Sequence, residues 1–452
     1  MSSKNYSKPT IVRVGNPLYV KHGSASQSYT LIRESIEGVN IESLVKQFGS
    51  PVFVFSERIL REKYKRAYTA FQSIYPNIQF GWSYKTNYLN AICKIFHQEG
   101  SIAEVVSHFE YEKARNLGIA GNQIIYNGPY KPIHSLRQAV IDEAIINVDH
   151  FDEMHDLETI AKELGKKFKI GIRINLNSGI TPVWSRFGFN LESGQAWAAI
   201  LRITQSKHLG LAGVHCHIGT FVLDAEAYGR ATHKLSEFVR HAESHLGYNI
   251  EYLDLGGGFA SQNHLKGIYQ PPEIAVPRIE AYASAIEKEV KWLTSRNPLP
   301  KIYFETGRHL VDDAGYLITT MVAEKLLPDG RRGYVLDAGV NLLYTSTWYK
   351  FKIELGCKTN GIIEPCVLNG PLCMNIDIMD ESIMLPRLKR FQKLIFSPVG
   401  AYNVTQWMQF IQYRPAIVLI TQNGEAKAIR RAETLEDINR CELDLDLKNE
   451  KS

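Results

Sequence analysis

Four short stretches place reactive side chains where an apolar run ends. WSYKTN carries Lys85, HCHIGT carries His215, His217 and Thr220, LDLGGGF ends in Gly256, Gly257 and Gly258, and ETGR sets Glu305 ahead of Gly307 and Arg308. A lysine at the inner end of an apolar strand is desolvated, which lowers its pKa and leaves an amine able to attack a carbonyl. Taken singly, a lysine so placed is more often a snorkelling or ion-paired residue. The histidine pair could start a zinc site, but a third ligand at suitable spacing is not evident, and no metal is expected. An imidazole packed flat on an aromatic ring is just as natural. Consecutive glycines after a strand let backbone N–H groups approach a phosphate, or simply form a tight turn. The pattern is not G-x-G-x-x-G, and no G-K-S/T follows.

Taken together, these groups fit one ligand. A carboxylate suits a basic ring nitrogen, glycines with Thr and Arg suit a phosphate, and a lysine suits an aldehyde. Pyridoxal 5′-phosphate has all three features, and Lys85 is expected to hold it as a Schiff base.

The elements that must carry these residues form a regular rhythm. Eight apolar runs read as strands: IQFGWSYK, SIAEVV, QIIYNG, AIINVD, FKIGIRIN, LAGVHCHIG, IEYLDLGGG and KIYFETGR. Helical patterns such as FDEMHDLETIAKELG and Asp224–Leu246 fill most of the intervals. This alternation predicts a (β/α)8 barrel, with the reactive residues on the C-terminal rim of its strands. A doubly wound open sheet would give a similar count. After Arg308 the runs YLITTMVAEKLL, RGYVLDAGV, EPCVLNGP, FQKLIFSP and PAIVLITQ read as a mostly β domain. The expected division is a barrel over 45–310, a β-rich domain over 1–44 and 311–440 with N-terminal strands near Ile11–Val20, and a mobile tail over 441–452. Ahead of the barrel, Asn40 and Gly49 bracket a helix over Ile41–Gly49, and PVFVF reads as a buried strand.

At 452 residues the chain exceeds one ordinary core, and 44% hydrophobic with 22% charged residues is a globular composition. The net charge of +5 is spread along the chain and gives no reason to expect nucleic acid as a partner. Six widely spaced cysteines without a CxxC pair argue against a zinc ribbon or disulfide framework and fit a reducing compartment. The polar start MSSKNYSKPT and the lack of a membrane-length apolar run make a cytoplasmic enzyme the simplest reading.

From about Ile41 to Ile420 the sequence resembles the alanine-racemase-like (fold type III) pyridoxal-phosphate decarboxylases, the group acting on diaminopimelate, ornithine and arginine. WSYKTN resembles YAxKAN, HCHIGT resembles HxHIGS, ETGR resembles EPGR, and LGGGF is nearly unchanged. The resemblance implies His217 on the cofactor ring, Glu305 on the pyridine nitrogen, and Thr220, Gly307, Arg308 and Tyr402 (GAYN for GAYG) near the phosphate. Arg173 in RIN, Ser185–Phe189 (SRFGF) and Leu336–Gly339 (LDAG) extend the match. GPLCMNID resembles GPxCExxD, which implies a homodimer with shared sites and Cys373 of the partner subunit as a catalytic group. A glutamate at 305 implies decarboxylation, because racemases of this fold carry arginine there; a racemase or epimerase and a non-catalytic homologue are the rival readings.

Three positions depart from that pattern. The residue after the cysteine, an acid in the diaminopimelate and ornithine enzymes, is Met374. RPALY appears as Thr345–Tyr349 (TSTWY), so Tyr349 is kept but Thr345 replaces the arginine expected on a distal carboxylate. VVSxGE reads VVSHFE, with His108 and Phe109 where glycines are usual. These changes predict a small-molecule, amino-acid-like substrate that is neither meso-diaminopimelate nor a simple basic amino acid but a larger conjugated one, such as a siderophore or other secondary-metabolite intermediate, with diaminopimelate as the alternative.

Overall fold

The computed structural model describes residues 31–443 and 445. The strands expected near Ile11–Val20 and most of the expected 441–452 tail lie outside them. Helix Ile41–Phe48 forms because the Asn40 side chain accepts the Ser43 N–H, and it stops at Gly49, which sits at φ 86°. β1 (Val52–Ser56) follows, buried at every residue, and then helix Glu57–Gln72 with Leu60, Tyr64, Ala67 and Phe71 on its buried face.

Eight parallel strands come next: β2 (Ile78–Ser83), β3 (Ile102–Val105), β4 (Ile124–Tyr126), β5 (Ile145–Val148), β6 (Phe168–Asn175), β7 (Leu209–His215), β8 (Tyr252–Asp254) and β9 (Lys301–Thr306). Neighbours run β7-β8-β9-β2-β3-β4-β5-β6, and β7 also pairs with β6, so the sheet closes into a barrel. All eight expected strands are present. Helices Phe151–Glu163 and Glu226–Leu246 lie where the helical patterns predicted them. Closure also decides against the open sheet: β6 and β7 share a register from Phe168↔Leu209 to Arg173↔His215.

After Thr306 the chain builds a second sheet from β10 (Gly315–Leu326), β11 (Arg332–Leu336), β12 (Lys352–Leu355), β13 (Ile363–Asn369), β14 (Ile378–Pro386), β15 (Lys393–Ser397), β16 (Ala416–Ile420) and β17 (Ala426–Arg430). Its order is β14-β13-β11-β10-β1-β16-β17, with β15 pairing both β10 and β12. β1 thus lies in this sheet, although the stretch 45–310 expected for the barrel includes it. The reason is burial on both faces: Phe53 and Phe55 join the main core shared with the barrel. Val52 and Val54 pack with Ile41, Leu44, Ile318 and Val418 in a second cluster. Among the described residues no helix is long and apolar enough to cross a membrane.

Candidate active site

Parallel closure puts every C-terminal strand end on one rim. A cavity of about 480 Å³ opens there, lined among others by Lys85, Glu104, Asn127, His217, Glu305 and Arg308. Lys85 sits in a short turn, Tyr84–Thr86, just beyond β2. The turn is fixed from the second sheet's side: Thr405 Oγ1 donates to the Lys85 carbonyl at 2.9 Å, and the Tyr402 N–H donates to the Thr86 carbonyl at 2.9 Å. Tyr402 adopts φ 66°, a left-handed conformation that costs a non-glycine residue on the order of 1 kcal/mol or more.

The Lys85 ammonium reaches Glu104 Oε2 at 2.5 Å, because Ser83 and Glu104 are register partners on β2 and β3. Burial disfavours the Lys85 charge, but Glu104 and Glu305 outweigh it and hold the amine above the ordinary lysine value. The expectation of a lowered pKa is therefore corrected. An amine this well paired must hand a proton on before it can act as a nucleophile, and Glu104 is the acceptor in reach.

Glu305, at the end of β9, takes a hydrogen bond from Asn127 Nδ2 and lies 3.3 Å from His215 Nε2. Burial pushes its carboxyl up, yet His215, Lys85 and His217 outweigh burial and keep it ionised, below the ordinary carboxylate range. Asp254, at the end of β8, moves the other way: burial and the Glu305 charge raise it well above the usual value. Two carboxylates this close in a buried site do not both ionise, so Asp254 keeps the proton. His215, Asp254 and Glu305 bring ligand-type atoms within 4.8 Å of one another. The groups that gather beside a rim histidine are thus two acids, and the histidine they join is His215, without His217.

His217 lies beyond β7 and receives the Gly257 N–H on Nδ1 at 3.0 Å, which leaves its ring proton on Nε2. Burial lowers its pKa to about 3. The glycines divide their work differently from the expectation. The Gly256 N–H donates to Asp254 Oδ1 at 3.0 Å and the Gly257 N–H to His217, so neither is free for a phosphate; of the three, Gly258 lines the cavity. A Cβ on Gly257 would lie 2.0 Å from the Glu305 carbonyl oxygen, and one on Gly258 2.1 Å from that of Gly219. Gly257→Ala is expected to destabilise the fold by about 1–3 kcal/mol through overpacking, seen as a lower urea midpoint, and to weaken cofactor retention by displacing Glu305.

Arg308 packs its guanidinium 4.8 Å from the rings of both Tyr349 and Tyr402, and Arg173 lies 4.7 Å from the ring of Phe187. Thr220 and Gly307 also line the cavity. Besides Gly256 and Gly257, three predicted residues are not brought there. Thr345 is buried with its hydroxyl on Asn403 Oδ1 at 2.8 Å, while Cys373 and Met374 lie on the loop before β14, Cys373 exposed. Sequence reading missed the lining residues Glu104 and Asn127 and, behind them beside Glu305, Asp254, all within or just after strands, and Trp184, Trp348 and Gln406 in irregular segments.

A profile described as "Pyridoxal-dependent decarboxylase, pyridoxal binding domain" matches residues 61–312. The chain belongs to this family. Diaminopimelate decarboxylase of Bacillus subtilis is 30% identical over 438 residues, covering 93% of this chain and 98% of that protein. The crystal structure of diaminopimelate decarboxylase from Methanocaldococcus jannaschii with L-lysine superposes with a TM-score of 0.83 at 27% identity, over 91% of this chain and 96% of that one. A lysine/ornithine decarboxylase from Vibrio vulnificus with putrescine shares the fold, with a TM-score of 0.72 at 20% identity over 85% and 98% of the two chains. As a pyridoxal-dependent decarboxylase the chain is a carboxy-lyase whose cofactor is pyridoxal 5′-phosphate.

This decarboxylase has groups that fit the cofactor. Beside the paired Lys85 and the ionised Glu305, the buried Arg308 Nε and Thr86 Oγ1 find no partner among the described residues, and both residues line the cavity. A Cβ at Gly307 would meet Thr86 Oγ1 at 2.4 Å, so glycine keeps this corner open.

One pH dependence follows from the decarboxylase's buried histidines. His309, next to Arg308, donates from Nδ1 to the Ala260 carbonyl at 2.8 Å, and burial first, then the Lys63 charge, lowers its pKa to about 4. A pKa below the unfolded value means that the unfolded chain binds the extra proton as pH falls from about 6.5 towards 4, so stability declines across that window. His309→Gln is expected to flatten the decline, measured as melting temperature against pH.

Proposed function

We propose that this protein removes the α-carboxylate of an amino acid as a two-fold dimer whose sites are completed by Cys373 of the partner subunit. The carrying observation is one rim that unites a paired lysine, an ionised carboxylate and a neutral histidine with two buried groups that find no partner among the described residues, the Arg308 Nε and the Thr86 hydroxyl. Bound there, pyridoxal phosphate supplies the electron sink that takes up the pair left when CO2 departs. Lys85 holds and releases the cofactor through its Nζ, and Glu104 accepts and returns the proton at that atom. Glu305, kept ionised while Asp254 holds the neighbouring proton, favours a protonated pyridine nitrogen. His217, neutral and fixed through Nδ1, offers a flat face without adding charge. Arg308, Thr220 and Gly258 bind the anionic end. The resemblance gives Cys373 of the partner subunit the role of returning a proton to the α-carbon. Its exposure in the single chain suits that role, because an exposed thiol is available to a second copy.

Two measurements test the proposal. CO2 release from an amino acid, with the matching amine as product, separates decarboxylation from the racemase reading, which predicts inversion without CO2. Lys85→Ala and Cys373→Ala, each inactive alone, are expected to regain about a quarter of wild-type sites when subunits are mixed, since half of random pairs carry one intact site. No recovery on mixing would sink the shared-site dimer.

A second reading, with diaminopimelate as substrate, is favoured by the B. subtilis relative of that name. The relatives lend no support to a siderophore-type substrate, and no lining residue is specific to one. Against diaminopimelate stand Thr345 and Met374 in place of the arginine and acid that the resemblance expects.

A further inference from the structure

We propose that the substrate's side chain ends in an uncharged group held by Trp184 and Trp348; this rests on the decarboxylase reading above and names the substrate class. The cavity's charged lining groups are committed. Glu104 and Glu305 both take hydrogen bonds from Asn127, and Glu104 also pairs Lys85. Arg308 covers the rings of Phe221, Tyr349 and Tyr402 at 5.6, 4.8 and 4.8 Å, and Arg173 covers Phe187. Four of the six Phe, Tyr and Trp rings lining the cavity are thus already occupied by this chain's own cations. An incoming ammonium would meet like charge there instead of free aromatic faces.

Trp184 and Trp348 remain. Trp184 lies 5.3 Å from the His217 ring, and Trp348 packs edge-on to Tyr344 at 5.4 Å with 43% exposure. The exposed Gln406 adds an uncharged amide to the lining. The Cys373 segment, which a partner would bring, adds no free charge. The carboxylate of Asp377 is taken by the Val340 and Leu372 N–H groups at 2.8 Å each, and Met374 is neutral. A buried distal ammonium would therefore lack a counter-charge and a distal carboxylate would find only Arg173, which already faces Asp149 at 3.9 Å, whereas a flat neutral group gains contact with indole surface.

Matched probes test this on the cofactor-loaded protein. N-acetylcadaverine is expected to bind at least about tenfold more tightly than cadaverine by calorimetry, the ratio that an unpaired buried charge imposes at minimum. Nε-acetyl-L-lysine is expected to release CO2 with a kcat/KM at least about tenfold above L-lysine and diaminopimelate, mainly through KM. Trp348→Ala and Trp184→Ala should each shrink both ratios, Trp348→Phe should keep them, and cofactor absorbance should persist in all three. Equal or tighter binding of cadaverine, or faster turnover of lysine or diaminopimelate, overturns the proposal and leaves the decarboxylase reading intact. Tighter binding of the acetylated amine with no CO2 from any of the three amino acids would uphold the neutral subsite and overturn the proposed reaction.

Discussion

Lys85→Ala is expected to lower turnover by about 10⁴-fold, because it removes the one amine that holds the reacting aldehyde in place and makes exchange with substrate effectively intramolecular. The chain should still fold. Lys85 contributes one side chain to an open cavity, whereas the turn that carries it is held through backbone carbonyls by Thr405 and Tyr402. Borohydride treatment of the wild type should add the mass of one reduced cofactor per chain, and the variant should gain none. Partial recovery of activity with a high concentration of methylamine would show that the missing group is an amine and not a structural prop. Wild-type turnover in the variant would remove the basis of the site assignment.

Glu305→Gln is expected to cost on the order of 10²–10³-fold in kcat, the scale at which single preorganised electrostatic groups contribute. The amide keeps the shape and can still meet Asn127, but it loses the charge that holds a proton on a ring nitrogen. Asp254 is the internal control. With Glu305 neutral, the like charge that raises Asp254 is gone, so Asp254 is expected to titrate closer to an ordinary carboxylate, visible by infrared spectroscopy of its carbonyl stretch. A variant with unchanged kcat would mean that the carboxylate does not face the cofactor ring.

The barrel was legible because a parallel strand covered on both faces must be apolar along its whole length. The eight runs from Ile78 to Thr306 are nearly continuous in that respect. Lys85, His217, Glu305 and Arg308 were legible for the complementary reason: each is a polar group placed directly after such a run. Glu104, Asn127 and Asp254 were not. Each is one polar residue in or beside a short strand, and only the registers Ser83↔Glu104 and His215↔Asp254 and the hydrogen bonds from Asn127 to Glu104 and Glu305 show that they join the site. Trp184 and Trp348 lie in irregular segments whose path no periodicity describes. The direction of the Lys85 shift depended on Glu104 as well, so the missed neighbour explains the wrong sign. β1 was read as a buried strand, but its sheet was not evident, since its partners β10 and β16 lie far along the chain.

That placement of β1 has a consequence for biosynthesis. A strand made near the start of the described chain stays half-paired until Ala416–Ile420 leaves the ribosome, and the turn around Lys85 waits equally long for Tyr402 and Thr405. The barrel can collapse early from its local βα units, whereas closing the second sheet is a slow, non-local step that exposes a hydrophobic edge meanwhile. Nascent chains halted before Tyr402 should therefore hold a compact barrel that binds chaperones and does not retain the vitamin B6 coenzyme.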